Sequence, residues 1–332
     1  MDRITIVGLG LIGGSIGLAL KAAKLHSVEV VGHDVTRSAL GDAKKRGAVD
    51  RTEGSLREAL KGADLVVLAV PVLAIREVLQ DAAPLLKEGA VVTDTGSTKA
   101  LVMEWARELL PPHISFVGGH PLAGKETPGI EAAEATLFRG AVYALCPSPS
   151  AEADAVKVVV WLVENILGSR PFFVDPHEHD GLVAGISHLP IILSSALVSC
   201  TTQSPSWREM SKLAANGYRD ISRLAAGDPT MNRDICLSNR ESLARWIDAC
   251  INEMQAYRRL ILEEGPGLGE RFNKVWEERA RWMLEREGKV KEQGLDIPSA
   301  GDRITSLFFG EWVTKRTRQM MEGPPRPAEP KK

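Results

Sequence analysis

The sequence predicts an α/β fold in which an N-terminal, doubly wound parallel sheet is followed by an all-helical second domain. Through the first half of the chain, short β-branched runs alternate with helical stretches, the pattern of a parallel sheet covered by helices on both faces. From His177 onward those runs vanish and apolar residues recur at helical spacing. A glycine-rich turn directly after the first run marks the point where strand gives way to helix.

Taken in order, candidate strands lie at 3–8, 28–34, 64–70, 90–94, 114–118 and 141–145. A helix over 151–167 and a last strand at 171–175 carry the first domain through residues 1–174. Helices are expected over 182–200, 207–226, 229–264 and 271–287, within a second domain at 175–322. The stretch from Asp228 opens with Asp-Pro, where a carboxylate can cap and proline suits the first turn. Six of the seven tryptophans lie at or after Trp161. Amphipathic helices this apolar bury a subunit interface as well as a core, so a homodimer through the helical domain is expected. The tail at 323–332, GPPRPAEPKK, is proline-rich and polar and reads as disordered.

Composition limits the function classes. A chain of 332 residues with 44% hydrophobic content can fill conventional cores. A formal net charge of -2, from 41 basic and 43 acidic residues, gives no global attraction to nucleic acid or to an anionic membrane, so neither is expected as a partner. Cys146, Cys200, Cys236 and Cys250 show no CxxC spacing, which argues against a disulfide framework or a cysteine-built zinc site and for a reducing, cytoplasmic setting. The N-terminal apolar stretch has glycines at turn positions and no cleavage site, unlike a signal peptide. No apolar run reaches the ~18 to 20 residues of a membrane span.

In GLGLIGG, Gly8, Gly10 and Gly13, with Leu11 and Ile12 between them, follow a strand and open a helix. The first glycine makes a tight turn, the second admits a pyrophosphate, and the third lets helix and strand pack. Helix amides then hold the phosphates. Asp34 ends the next strand at the distance expected for a ribose-binding carboxylate, which accepts from the 2′-OH and repels a 2′-phosphate. NAD is therefore favoured over NADP, although Arg37 stands near enough to serve a 2′-phosphate. Val70 and Pro71 end the strand LVVLAVPV and either line the adenosine site or simply end the strand.

Asp94-Thr95-Gly96-Ser97-Thr98-Lys99 follows another strand, where open α/β sheets bind ligands. Ser97 either meets a substrate hydroxyl near the nicotinamide or caps the next helix. His120, in GGHPLAG, stands straight after a strand between glycines and a proline that leave its ring little chance of being core. Its ordinary pKa suits proton acceptance near neutral pH. His188, in ISHLP, is either a satisfied buried histidine or a pocket wall. A metal set of His177, His179 and His188 lacks an organised third ligand, so no metal is expected. Arg219 and Arg223, in GYRDISR, are spaced to share a helix face and could bind a carboxylate, the bland alternative being an ion pair with Asp220 or Asp228.

GLGLIGGSIGLAL, DTGSTK, GGHPLAG, ISHLP and RDISRLAAGDP occur in the order seen in prephenate and arogenate dehydrogenases, and the chain resembles that family over residues 4–240. The resemblance implies a Rossmann domain joined to a helical dimerisation domain, and an NAD-linked oxidative decarboxylation of a cyclohexadienyl carboxylate in tyrosine biosynthesis. Prephenate would give 4-hydroxyphenylpyruvate, and arogenate would give tyrosine. By the same resemblance His120 deprotonates the ring hydroxyl as hydride leaves, Ser97 assists there and orients His120, Arg223 binds a substrate carboxylate, and His188 lines the pocket. Aromatisation and loss of carbon dioxide drive such a reaction, so the enzyme mainly positions hydride and proton. Three departures fall where the substrate side chain should be read. Ile191 replaces a second histidine, Lys125 and Glu126 follow GGHPLAG where threonine is common, and Asn232 replaces a tryptophan. Both substrates stay open; Lys125, counted with Glu126 and Arg219 among the substrate contacts, leans toward the dianionic keto acid. Two rivals share the N-terminal logic: a β-hydroxyacid or pyrroline-carboxylate type dehydrogenase, and a non-catalytic NAD-binding regulator.

Overall fold

The computed structural model describes residues 1–286 apart from His26, Glu126, Glu264 and Pro266. Expectations about Glu126 and the tail therefore lie outside the described residues. The strands are β1 (Arg3–Val7), β2 (Glu29–His33), β3 (Arg51–Glu53), β4 (Leu65–Leu68), β5 (Val91–Asp94), β6 (Ser115–Pro121), β7 (Val142–Pro147) and β8 (Arg170–Phe173). Among the described residues they form one eight-stranded sheet in the order β3-β2-β1-β4-β5-β6-β7-β8.

Helices α1 (Leu11–Ala22), α2 (Arg37–Lys45), α3 (Leu56–Leu60), α4 (Ile75–Ala82), α5 (Ala100–Leu109) and α6 (Ala153–Trp161) cover the sheet on both faces. β4 reads LVVL with every residue buried, as a central parallel strand should. Leu65 and Val67 enter the core with Ile16 and Leu20 of α1 and Val159 of α6, whereas Val66 and Leu68 enter a second core with Leu79 of α4 and Val102 of α5. Each such aliphatic side chain stabilises the fold by roughly 1.5–3 kcal/mol.

Two features depart from the expected parallel sheet. β7 runs antiparallel to β6, because the described residues between them form a short 3₁₀ turn at Ile130–Ala132 and no crossover helix. β3 was not expected at all: its sequence, Arg-Thr-Glu, has no apolar run. It holds the sheet edge through ion pairs of Arg51 with Glu29, at 2.6 Å, and with Glu53.

The last strand ends at Phe173, and helices follow: α7 (Pro176–Val183), α8 (Leu189–Thr202), α9 (Trp207–Leu213), α10 (Asn216–Ser222), α11 (Pro229–Ser238), α12 (Arg240–Leu262) and α13 (Gly267–Arg286). Two expected helices are broken, at residues 214–215 and at Asn239. Asp228 caps α11 as its Asp-Pro start suggested, accepting from the Met231 amide at 2.7 Å. A π-helical segment, Ala184–His188, joins α7 to α8. The resulting run, Pro176–Thr202, is long and apolar enough to span a bilayer by length and composition, with a mean hydropathy of 1.8, contrary to the expectation that no such run exists. Buried His179, Asp180 and His188 lie within it and are hydrogen-bonded to neighbouring protein groups.

The chain divides into two compact units, Met1–Ala249 and Cys250–Lys332. In the second, α13 folds back along the end of α12: the Tyr257 and Phe272 rings lie 5.4 Å apart, and Arg271 pairs with Glu253.

Candidate active site

The glycine turn is built as its sequence requires. Gly8 has φ +95°, and a Cβ there would lie 2.3 Å from the Ala69 carbonyl oxygen. A Cβ on Gly13 would lie 1.9 Å from the Gly8 oxygen, so backbone contact forces both glycines. At Gly10 a Cβ would meet nothing within 4 Å. Protein packing therefore does not demand that glycine, and the space beside it is open to a ligand. Gly10 caps α1 without a side-chain hydrogen bond, leaving the first helix amides, at Leu11 and Ile12, for an anion. Asp34 Oδ2 accepts from Leu9 N at 2.8 Å and Oδ1 from Thr36 N at 2.7 Å, which fixes the carboxylate beside this turn. Val70 flanks Gly8, and Pro71 starts a 3₁₀ turn at Val72–Ala74. These residues fit a dinucleotide, with Asp34 positioned for its ribose.

His120 does not follow its strand but lies within it. β6 extends to Pro121 because Gly118–Pro121 pairs with β7, and the ring is only 8% exposed. The Gly119 peptide before it is held on both sides. Its N–H donates to Asp94 Oδ1 at 3.0 Å, and its carbonyl accepts from Lys99 Nζ at 2.7 Å. Lys99 and Asp94 are fully buried and paired with each other. Gly119 has no room for a side chain, since a Cβ would lie 2.5 Å from the Asp94 carbonyl oxygen.

His120 Nδ1 lies 2.9 Å from His179 Nε2, and His179 Nδ1 lies 2.8 Å from Asp180 Oδ1. Asp180 also accepts from the Lys99 and Ala100 amides at 2.7 and 3.0 Å. Burial, foremost, and the neighbouring His179, Lys99 and His188 hold the His120 pKa well below its ordinary value.

The π-helical segment turns His188 inward, to 1% exposure. Asn239 Nδ2 donates to the Asp180 carbonyl at 2.7 Å, which fixes its amide orientation, and lies 3.3 Å from His188 Nδ1. His188 Nδ1 must therefore accept, which leaves the hydrogen on Nε2. That buried N–H has no well-formed partner, although the Ser97 backbone is close enough to act on its protonation. A buried donor this weakly engaged can also serve a carbonyl or carboxylate.

Ser97 is half-buried in the loop after β5 and caps nothing; its hydroxyl has no partner among the described residues. Arg223 is exposed and opens a 3₁₀ turn, Arg223–Ala226, that packs on α8. Arg219 stands in the last turn of α10, and Arg223 continues it with helical dihedrals, φ -54° and ψ -43°, into the 3₁₀ turn. Arg219 makes the ordinary surface ion pair, 3.4 Å from Asp220. Lys125 donates to Ala132 O at 3.0 Å and pairs with Glu134 at 2.6 Å. Sequence reasoning missed Asp94, Lys99, His179, Asp180 and Asn239. A charged pair closing an apolar strand, and His-Asp at a helix start, were the available signals.

A 3-2-1-4-5-6 strand order, a Gly-x-Gly-x-x-Gly turn with its acidic partner, and a buried histidine near the carboxyl end of β6 define a dinucleotide-linked dehydrogenase. Residues 16–170 match the family description "Prephenate dehydrogenase, nucleotide-binding domain", and residues 175–283 match "Prephenate dehydrogenase, dimerization domain". The chain belongs to the prephenate dehydrogenase family. It is 37% identical to a Bacillus subtilis prephenate dehydrogenase over 97% of this chain and 88% of that protein. It is 32% identical to a Zymomonas mobilis cyclohexadienyl dehydrogenase over 87% of this chain and 98% of that one. The crystal structure of the Aquifex aeolicus prephenate dehydrogenase with hydroxyphenyl propionate and NAD+ superposes with a TM-score of 0.78 at 29% identity, covering 85% of this chain and 98% of that chain.

Proposed function

We propose that this chain converts prephenate to 4-hydroxyphenylpyruvate by oxidative decarboxylation. The observation that carries the reading is His120, buried, with its pKa held well below the ordinary value, beside the buried His188. NAD, when bound, takes up the hydride released from the ring carbon that bears the hydroxyl. His120 accepts the hydroxyl proton as that carbon becomes a carbonyl, and loss of carbon dioxide completes the aromatic ring. Ser97, with its hydroxyl unengaged, hydrogen-bonds the same substrate oxygen. Arg223 holds a substrate carboxylate, and His188 Nε2–H meets the substrate side chain. Asp34 favours NAD over NADP because a carboxylate accepts from a ribose hydroxyl and repels a phosphate.

One observation keeps arogenate as a second reading. The Lys125 ammonium, expected to prefer the keto acid, is already engaged by Glu134 and Ala132. Arg219 and Glu126 remain secondary candidates for reading the substrate side chain.

Residues 1–174 act as the nucleotide-binding domain and 175–322 as the substrate and dimerisation domain. Exposed Ile186, Leu213 and Ile221 in the helical part supply apolar surface for a homodimer. Free cysteines at 146, 200, 236 and 250 suit a reducing cytoplasm, and neither nucleic acid nor membrane is proposed as a partner. The test is NADH formation by purified protein given prephenate or arogenate, each with NAD and with NADP. Turnover of prephenate with NAD is expected. Inertness toward both substrates, in protein that binds NAD, would return the hydroxyacid dehydrogenase and regulator readings.

A further inference from the structure

His179 sits on α7 at 3% exposure, and its ring meets that of His120 edge-on, with centroids 5.1 Å apart and planes at 75°. Both of its nitrogens are engaged, and with one proton on the ring they determine where the hydrogens lie. A carboxylate oxygen only accepts, so the 2.8 Å contact with Asp180 Oδ1 puts a hydrogen on His179 Nδ1. Neutral His179 then offers a lone pair at Nε2. The 2.9 Å contact with His120 Nδ1 accordingly requires the hydrogen to sit on His120 Nδ1. Only Nε2 of His120 is left with a free lone pair.

We propose that His179 and Asp180 are positioning residues that hold His120 as its Nδ1-protonated tautomer, so that Nε2 is the basic nitrogen presented to the substrate hydroxyl. Imidazole side chains in water prefer the opposite tautomer, so a fixed acceptor at Nδ1 has a defined task. The Ser-His-Asp triad uses one carboxylate to orient its histidine; here a second imidazole stands between carboxylate and base. The carboxylate cannot swing away, because it also accepts from the Lys99 and Ala100 amides at the start of α5, just beyond Ser97. One side chain thus sets the orientation of His120 and the position of the segment that carries Ser97.

The proton step balances without a further reactant. The substrate O–H bond breaks, an N–H bond forms at His120 Nε2, and the O–H electron pair becomes the carbonyl π bond as hydride departs to the nicotinamide. The proton stays on His120, whose Nδ1–H donates more strongly to His179 once the ring is charged, with the Asp180 carboxylate next in line.

The inference rests on the dehydrogenase reading for the substrate, but the tautomer can be read without turnover. In the full-length protein, imidazole ¹⁵N signals assigned by loss of the His120 resonances in His120→Asn should show His120 protonated at Nδ1. In His179→Leu, which removes the acceptor, the signal should move to the Nε2-protonated pattern. Turnover in that variant should fall about 10- to 100-fold while NAD affinity stays within about two-fold. In His179→Gln an amide oxygen of similar reach can accept from Nδ1–H, and turnover should recover to within about five-fold of wild type. A wild-type His120 protonated at Nε2, or a folded His179→Leu enzyme with near-normal turnover, overturns the proposal. If His179→Leu does not fold, the wild-type spectrum still decides. If wild type oxidises neither prephenate nor arogenate, the substrate reading fails while the spectrum continues to report the tautomer.

Discussion

The Asp180 carboxylate accepts the main-chain N–H of Lys99 at 2.7 Å, a contact between groups 81 positions apart in sequence. With the Ala100 amide on its other oxygen, it caps α5 from a different helix. The first amides of a helix have no intrahelical partner, and leaving a buried one unsatisfied costs about 1–3 kcal/mol. Asp180→Ala should therefore lower the melting temperature by several degrees. Ser97→Ala, at the position where a local cap was the alternative to a substrate contact, should leave melting nearly unchanged while reducing turnover. Calorimetry on the two variants checks this, and an equal loss in both would restore the cap to Ser97.

His120 must be neutral to accept a proton, and its pKa is held well below the ordinary value by burial, then by His179, Lys99 and His188. The neutral form consequently persists as pH falls below ~6.5, where an unperturbed histidine would be half protonated. The acidic limb of the kcat/KM profile assigned to this group should therefore lie clearly below that pH. His120→Asn should lower kcat by about two orders of magnitude and spare NAD binding. Steady-state kinetics over pH together with NAD titration test both, and an acidic limb at or above the ordinary histidine value would remove His120 from the base role.

The cofactor half of the site was legible in the sequence because its rules are local. Gly8, Gly13 and Asp34 lie within one strand-helix-strand unit, and their spacing carries the geometry. The buried strands were legible for a similar reason, since all-apolar runs such as LVVL suit a central parallel position. β3 was not, because its edge position is held by Arg51 and Glu29 rather than by an apolar period. The catalytic surroundings were half legible. His120, Ser97 and His188 stand in recognisable motifs, but the groups that orient them arrive from afar: Asp180 on Lys99 and Ala100, Asn239 on His188, Asp94 on Gly119. Lys125 was read as a substrate contact from its place after GGHPLAG, and its partner Glu134 appears only once the chain is folded, whereas the ion pair of Arg219 with Asp220 was the alternative its sequence already offered.

His188 makes acid stability a separate test. Burial, foremost, lowers its pKa from 6.5 to about 4. Between those values the unfolded chain binds a proton that the folded chain does not, so stability falls as pH drops through this window and is unaffected by this group above it. His188→Asn keeps an acceptor toward Asn239 and removes the titration. Its melting temperature should fall less between pH ~7 and pH ~5 than that of wild type. An identical drop in both proteins would assign the acid sensitivity to other groups, His120 among them.

Asp34 is held by Leu9 and Thr36 amides beside the glycine turn, with lone pairs left for a ribose. Asp34→Ser removes the charge that repels a 2′-phosphate. The ratio of kcat/KM for NAD to that for NADP should fall by about ten-fold or more, chiefly through weaker NAD use and some gain with NADP, for which Arg37 is nearby. An unchanged ratio would mean that cofactor choice is made elsewhere.

Gly10 and Gly13 separate ligand binding from folding within one motif. An alanine at Gly13 would place its Cβ 1.9 Å from the Gly8 carbonyl oxygen, a collision with backbone that no side-chain movement relieves. Gly13→Ala should destabilise the domain by several kcal/mol or prevent its folding. At Gly10, φ is -76° and ψ -156°, which alanine also adopts, and the added methyl would meet no protein atom within 4 Å. Gly10→Ala should therefore melt within about a degree or two of wild type yet bind NAD at least about ten-fold more weakly, because the methyl occupies the space through which the pyrophosphate must approach the helix amides. Melting curves with and without NAD measure both quantities in one experiment. Normal NAD affinity in Gly10→Ala would detach the turn from the pyrophosphate, whereas an unstable Gly10→Ala would show that this glycine serves the fold after all.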